Sequence, residues 1–337
     1  MHDATAEMTR LSSTSVHDLG AVVRLLAAGG IAAIPTETVY GLAADAANAD
    51  AVAKVYAAKG RPQFNPLIVH VADRAMAERY ARFCPLAERL SATLWPGPLT
   101  LVLPLVPGAP VCGLVTAGLP TVALRVPAHP AMLAAVRGLG RGVAAPSANV
   151  SGRLSPTTAA HVMEGLAGKV PVIVDGGPCA AGLESSIVAV DGEHLTLLRH
   201  GALSLDVLEA AAGKSIAIAD DTAEISAPGM MLRHYAPRLP LRLFARTAAA
   251  DEFHIGFGDV LGDKSLSRHG NMIEAAANLF DVLHSAEASG KAAIAVAPVP
   301  DHGLGLAIND RLRRAAQGSG AQPDQAGLGR IVSGSDP

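Results

Sequence analysis

The sequence predicts a mixed α/β protein of two domains. Three observations lead there. Strands alternate with helices over the first 170 residues and then crowd together, which suits a mixed sheet better than a strictly parallel one. A length of 337 residues is roughly two domains' worth. The texture changes near residue 211, where apolar periodicity fades and Asp220, Asp221 and Glu224 gather.

Taken in order, residues 15–29 read as the first helix. Ser15 and Asp18 resemble a capping box, Leu19, Val22, Val23 and Leu26 share one face, and Gly29-Gly30 stops it. Residues 31–34 are a short buried strand ending at Pro35, 48–59 a helix and 67–71 a strand, with two helices before a proline-rich stretch. Strands follow at 121–126, 142–145, 172–174, 186–190 and 194–198, and helices at 130–139 and 157–166. Residues 12–211 thus form the first domain, 212–238 a linker and 239–317 a βαβ-like second domain. In the second domain, strands are expected at 241–244, 253–257 and 292–296 and helices at 271–288 and 304–317. Residues 318–337 read as a flexible tail.

Composition excludes several classes. Thirty-four glycines and 23 prolines argue against a coiled coil. A net charge of −3 excludes a globally basic nucleic-acid coat, and 3% aromatics leave little for stacking single-stranded RNA. Cys84, Cys112 and Cys179 are odd in number and far apart, which disfavours a disulfide scaffold or Cys-rich zinc site and fits a reducing compartment. Residues 90–124 carry no charge, yet Pro96, Pro98, Pro104, Pro107, Pro110 and Pro120 break the run. A lipid-exposed helix would leave those backbone groups unsatisfied, so short buried strands and loops of a soluble protein are expected there.

Five clusters could carry chemistry. PTETVYG, 35–41, ends a strand with two threonine hydroxyls, a carboxylate and a phenol; by itself it reads first as a turn bonding its own backbone. KGRPQFNPLIVH, 59–70, places Lys59 and Arg61 in a stiff Gly/Pro loop. There they form either a solvated basic loop or a pair that straddles a polyphosphate. Arg125 interrupts the apolar strand TVALRVP and needs a partner or a ligand. APSANVSGRLSPT, 145–157, offers Ser147, Asn149, Ser151 and Ser155, as phosphate-binding turn or helix cap. ESSIV, 184–188, and LLRHG, 197–201, bring Ser185 and Arg199 a hairpin apart. There is no Walker loop; GFG at 256–258 and GLG at 303–305 are weak dinucleotide signals, and the histidines show no metal spacing.

Read together, PTETVYGLAADA, KGRPQFNPLIVH, LWPGPLTLVL, TVALRVPAHP, APSANVSGRLSPT, ESSIVAV, LLRHGA and PGMMLRHYAP closely resemble the YrdC-like family in its long two-domain form. The likeness is strong over 15–210 and extends through the linker to GLGLAINDRLRRAA, 303–316. The family's K-x-R and S-x-N signatures stand as Lys59-Gly60-Arg61 and Ser147-Ala148-Asn149. Members often carry a basic residue after PGM, where this chain has Met231, so no phosphate contact is carried over to that position.

The resemblance implies a twisted α/β sheet with a concave, positively lined face and a small Rossmann-like C-terminal domain. It implies synthesis of L-threonylcarbamoyladenylate from L-threonine, bicarbonate and ATP with release of pyrophosphate, a nucleotidyl transfer that begins threonylcarbamoyl-adenosine formation in tRNA. By position, Thr38, His70, Arg125, Ala145 and Ser185 would hold threonine. Lys59, Arg61, Asn65, Thr121, Ser147, Asn149, Ser155, Arg199 and Tyr235 would hold ATP, with Lys59 and Arg61 the catalytic cations. Mg²⁺ is expected with ATP and no resident metal site, in a cytoplasmic enzyme that hands its product to a tRNA threonylcarbamoyl transferase. Direct tRNA or double-stranded RNA contact is a weaker expectation. The linker, carrying Arg233, His234 and Tyr235, is expected to act as a lid over the labile intermediate. A carbamoyl-transfer module of hydrogenase maturation is the rival reading, but it calls for zinc-finger and acylphosphatase segments that this sequence does not show.

Overall fold

Local chemistry sets the elements. A computed structural model describes residues 9–220 and 235–319. The expected lid residues 221–234 lie outside these, as does the expected tail from residue 320.

The chain begins with β1 (Arg10–Ser12), α1 (Val16–Ala27), β2 (Ala32–Ile34), β3 (Gly41–Asp45), α2 (Ala49–Lys59) and β4 (Ile68–His70). Ser15 caps α1 by accepting from the Asp18 N–H, while the Asp18 carboxylate accepts from Ser13, so the capping box closes on Ser13 instead of Ser15. Asn48 caps α2, and Gly60, in the left-handed region at φ 61°, ends it. α3 (Arg74–Ala77), α4 (Pro85–Leu94), β5 (Leu99–Pro104) and α5 (Gly113–Thr116) resolve the uncharged stretch as a buried strand among short helices. Then come β6 (Thr121–Arg125), α6 (Pro130–Leu139), β7 (Val143–Ala144), α7 (Ala159–Leu166), β8 (Val172–Val174), β9 (Ser186–Asp191), β10 (His194–Arg199), α8 (Leu205–Ala212) and β11 (Ala217–Ile218).

Among the described residues these strands form one eleven-stranded mixed sheet, in the order β1-β8-β2-β3-β7-β4-β6-β5-β9-β10-β11. β11 adds to β10 in parallel, so the sheet continues past residue 211 into the stretch read as linker. Aliphatic residues cover both faces: Leu19, Val22, Leu26 and Val136 of α1 and α6 on one, Val52, Val55 and Leu90 of α2 and α4 on the other. β3 was not expected; its G-L-A-A-D run lacks the branched residues that mark strands, yet all five residues are buried.

The remainder is β12 (Leu241–Arg242), β13 (Glu252–Gly256), β14 (Lys264–Ser265), α9 (Met272–Glu287), β15 (Ala293–Val296) and α10 (Leu304–Gly318). Its four strands are all parallel, ordered β12-β15-β13-β14. The small core of this part, including Phe280, Leu283 and Ile308, also takes in Val39, Leu154 and Leu183 of the large-sheet part.

Strand direction decides where polar residues converge. β4 and β6 run in parallel with His70 opposite Arg125, and β9 begins opposite Leu99, beside the end of β6. The ends of β2, β4, β6, β7 and β10 and the start of β9 therefore deliver their loops to one concavity.

Candidate active site

A cavity lies at these strand ends. Its wall includes Thr38, Arg61, His70, Arg125, Ala145, Ser147, Ser185, Arg199 and Tyr235. All five clusters, with Tyr235 after the linker, thus share one wall.

Arg125 is buried at the end of β6. Its Nη1 donates to Thr38 Oγ1 at 2.8 Å and its Nε to the Gly97 carbonyl at 3.1 Å. Its Nη2 lies 2.6 Å from Glu37 Oε1, and Glu37 also accepts from the Ala128 N–H through Oε2. The threonines of PTETVYG serve both readings given above. Thr36 Oγ1 accepts from the Thr38 and Val39 N–H groups and donates to the Val39 carbonyl, and that turn aims Thr38 at Arg125. Beside them, burial and then the Arg125 charge push the His70 imidazole down to about 3, so it faces the cavity neutral.

Ser185 and Arg199 form the opposite wall. The Arg199 guanidinium donates to the Ser185 carbonyl at 2.9 Å and to its Oγ at 3.1 Å, and Ser185 Oγ also meets Thr100 Oγ1 at 2.7 Å. A side chain at Gly201 would strike the backbone of residues 184–186, so the two segments are in direct backbone contact. Burial lowers Arg199, and brings Arg61 down to about 10. Arg61 Nη2 donates to the Pro66 carbonyl at 3.0 Å.

Four of the expected residues stand one layer behind this wall. The left-handed turn at Gly60 separates the paired cations: Arg61 reaches the cavity and Lys59 points inward, 1% exposed. Lys59 Nζ donates to the Ser147 carbonyl, the Asn149 carbonyl and Asn149 Oδ1, at 2.5, 2.6 and 3.2 Å. The two cations therefore do not straddle a common space. Burial and the neighbouring Arg61 push the Lys59 ammonium well below its ordinary range. Asn149 accepts from Ser147 Oγ and donates to the Val150 and Arg153 carbonyls, so it shapes the turn. Asn65 is buried with its carbonyl accepting from Tyr56. Ser155 donates to Glu184 Oε1 at 2.5 Å.

Thr121 is not on this wall. It opens β6 opposite Pro104, while Arg125 closes it. Four residues of strand put about 13 Å between them, and Thr121 does not reach the cavity.

Sequence reading left Glu37, Glu184 and Arg311 without roles. The two glutamates lie inside quoted motifs, each beside hydroxyl residues, and that placement was the available signal. Arg311 sits on α10 of the second domain, fully buried, with Nε 2.8 Å from Glu184 Oε2. Three buried guanidiniums beside hydroxyls suit a ligand with several negative charges and a small amino-acid carboxylate. Among the described residues no group of three His, Cys, Asp or Glu is placed to hold a metal ion, and no helix is long and apolar enough to cross a membrane.

Comparison with known proteins bears on this geometry. The Sua5/YciO/YrdC family model, described as telomere recombination, matches residues 24–201, and one described as threonylcarbamoyl-AMP synthase, C-terminal domain, matches 203–317. A threonylcarbamoyl-AMP synthase of Bacillus subtilis is 40% identical over 94% of this chain and 96% of its own length. One from Pyrococcus abyssi is also 40% identical, over 86% and 91%. The crystal structure of P. abyssi Sua5 complexed with L-threonine superposes with a TM-score of 0.83 at 36% identity, covering 92% of this chain and 98% of that one.

Proposed function

The chain belongs to the Sua5/YciO/YrdC family in its two-domain, threonylcarbamoyl-AMP synthase form, and on that premise we infer that its cavity makes L-threonylcarbamoyladenylate, the intermediate used to modify tRNA. In this reading L-threonine, bicarbonate and ATP are the substrates, pyrophosphate leaves, and the reaction class is nucleotidyl transfer. One observation carries the assignment of roles: Arg61, Arg125 and Arg199 converge from three separate motifs on one buried cavity.

Arg125 takes the threonine carboxylate, with Thr38 and Ser185 supplying hydroxyls and Ala145 a wall. Neutral His70 offers an acceptor there in place of a second cation, which keeps the amino group's surroundings from favouring its protonated form. The neutral threonine amine adds to the carbon of bicarbonate and water leaves, giving the carbamate; a carbamate oxygen then attacks the α-phosphorus of ATP and pyrophosphate departs. Arg61 and Arg199 offset the charge that gathers as two anions meet, with Ser147 beside them and Tyr235 against the nucleotide. No covalent enzyme intermediate is required; positioning and fixed charge supply the effect. Lys59, Asn65, Asn149 and Ser155 act by holding these groups. Mg²⁺ enters with the triphosphate, since Glu37 and Glu184 are both engaged by arginines. We place the enzyme in the cytoplasm, where its product passes to the tRNA threonylcarbamoyl transferase.

The test is incubation of the purified chain with ATP, L-threonine and bicarbonate, followed by mass spectrometry of the nucleotides. Threonine-dependent threonylcarbamoyl-AMP together with pyrophosphate is expected. ADP and phosphate alone, or nucleotide products indifferent to threonine, would overturn the reading.

A further inference from the structure

We propose that Arg311 is a positioning residue of the active site, through which the second domain holds the nucleotide side of the cavity in shape. The proposal rests on the cavity being the nucleotide site, as inferred above.

One guanidinium makes contacts in four directions. Nε donates to Glu184 Oε2 at 2.8 Å, Nη2 to the His200 carbonyl at 2.8 Å, and Nη1 to Asp310 on its own helix at 2.6 Å. Its Cζ stands 4.9 Å from the centre of the Tyr235 ring. Glu184 and Tyr235 line the cavity, and His200 follows Arg199, which does too. Through Glu184 the contact extends to Ser155. Arg311 itself is fully buried and is not part of the wall. It acts on the site only through the groups it touches.

Other contacts from the same domain converge on the same place. The Phe280 ring of α9 lies 5.7 Å from that of Tyr235. A side chain at Gly318, the last residue of α10, would collide with Ala236. Ala236 is tied on its other side to the Gly152 carbonyl. Tyr235 and Ala236 are therefore held between the large-sheet part and α9 and α10. On the threonine side Arg125 is held by Thr38, Glu37 and Gly97 instead, and only Ser185, which follows Glu184 in the chain, lies next to a partner of Arg311.

This arrangement makes a specific demand. Without Arg311, a buried carboxylate at Glu184 loses its counterion and Tyr235 loses the plane above it. ATP is held less well while threonine is held as before. Arg311→Met should lower kcat/KM for ATP by about a hundredfold, the scale of a displaced positioning group. The rise should be in the ATP KM, with the threonine Kd by calorimetry moving much less, because Arg125, which takes the carboxylate, is held by Thr38, Glu37 and Gly97 and by none of Arg311's partners. Arg311→Lys, which can still face Glu184 but cannot span to His200 or lie flat over Tyr235, should fall between the two and serves if Arg311→Met does not fold. A merely structural role would lower the active fraction, reducing kcat and leaving both substrate constants unmoved; that result, or wild-type ATP kinetics in Arg311→Lys, overturns the proposal. Wild-type enzyme that forms no threonine-dependent nucleotide product would instead refute the reading of the cavity itself.

Discussion

Replacing Lys59 by methionine keeps most of the length of the side chain and removes its ammonium. Three acceptors lose a donor: the Ser147 and Asn149 carbonyls and Asn149 Oδ1. Asn149 Oδ1 keeps the Ser147 hydroxyl, so two carbonyls are left without a side-chain donor. A buried group in that condition costs about 1–3 kcal/mol. Against this, methionine relieves the burial of a cation, the same desolvation that depresses the lysine's proton affinity. A net loss of about 2 kcal/mol is expected, which lowers Tm by roughly 4–8 °C for a unit of this size. Because the 147–149 turn carries Ser147 on the cavity wall, the ATP KM should rise in the same variant. Thermal unfolding and pyrophosphate release, measured side by side, provide the assay. A Lys59→Met protein that unfolds like wild type but releases no pyrophosphate would show that the ammonium acts directly on the nucleotide, and the reasoning from its three hydrogen bonds would be wrong.

Arg125→Ala should weaken threonine binding by about 2–5 kcal/mol, as for a truncated charge pair, and ATP much less; equal losses in calorimetric titrations would make Arg125 a structural ion-pair partner only. Thr121→Val, at the far end of β6, should leave stability within about 0.5 kcal/mol and the ATP KM unchanged, and a raised KM would restore Thr121 to the site. His161 of α7 and His284 of α9 stack at 3.8 Å across the two parts of the molecule, with Asp281 and Glu164 near their outer nitrogens. Burial first, then the neighbouring imidazole, holds His161 at about 4, and burial also lowers His284. Each binds its proton more weakly folded than unfolded, so stability is full above the ordinary histidine value near 6.5 and is lost as the pH falls from 6.5 toward 4. His161→Gln should flatten that decline in a Tm-against-pH series, and an unchanged slope would mean other groups cause it.

Helix α6 was legible to the residue, because Pro130 opens it and Gly140, in the left-handed region, ends it. Strands β2 and β8 announced themselves as short aliphatic runs between breakers. β3 did not, because small residues fill a strand buried on both faces without the branched side chains that signal one. α8 went unread because its eight residues, LDVLEAAA, make little more than two turns just before the texture changes. Within the site, motif residues at strand ends could be grouped because strand ends converge. The direction of Lys59 could not be read, since it hangs on one backbone turn at Gly60. Thr121 was assigned to ATP on the resemblance alone, and its place at the opposite end of β6 from Arg125 could not be read from the motif. Arg311 was beyond reach for the opposite reason: its partner Glu184 is distant in the chain and lies across the boundary between the two parts.

The order of strands in the large sheet has a consequence for how the protein is made. Arg10 lies opposite Val172 and Leu99 opposite Ser186, so the sheet is built mostly from long-range pairings and should form slowly. Translation at about 5–20 residues per second separates the appearance of Thr38 from that of Arg311 by tens of seconds. From its own synthesis until that of Arg311, the Glu184 carboxylate is carried on a nascent chain whose counterion for it has not yet been made. α10, the last of the described helices, closes the structure, so a chain arrested before it emerges should hold its sheet and lack a finished cavity. A force profile across arrested chains should accordingly show its final step only after residue 318 has cleared the exit tunnel.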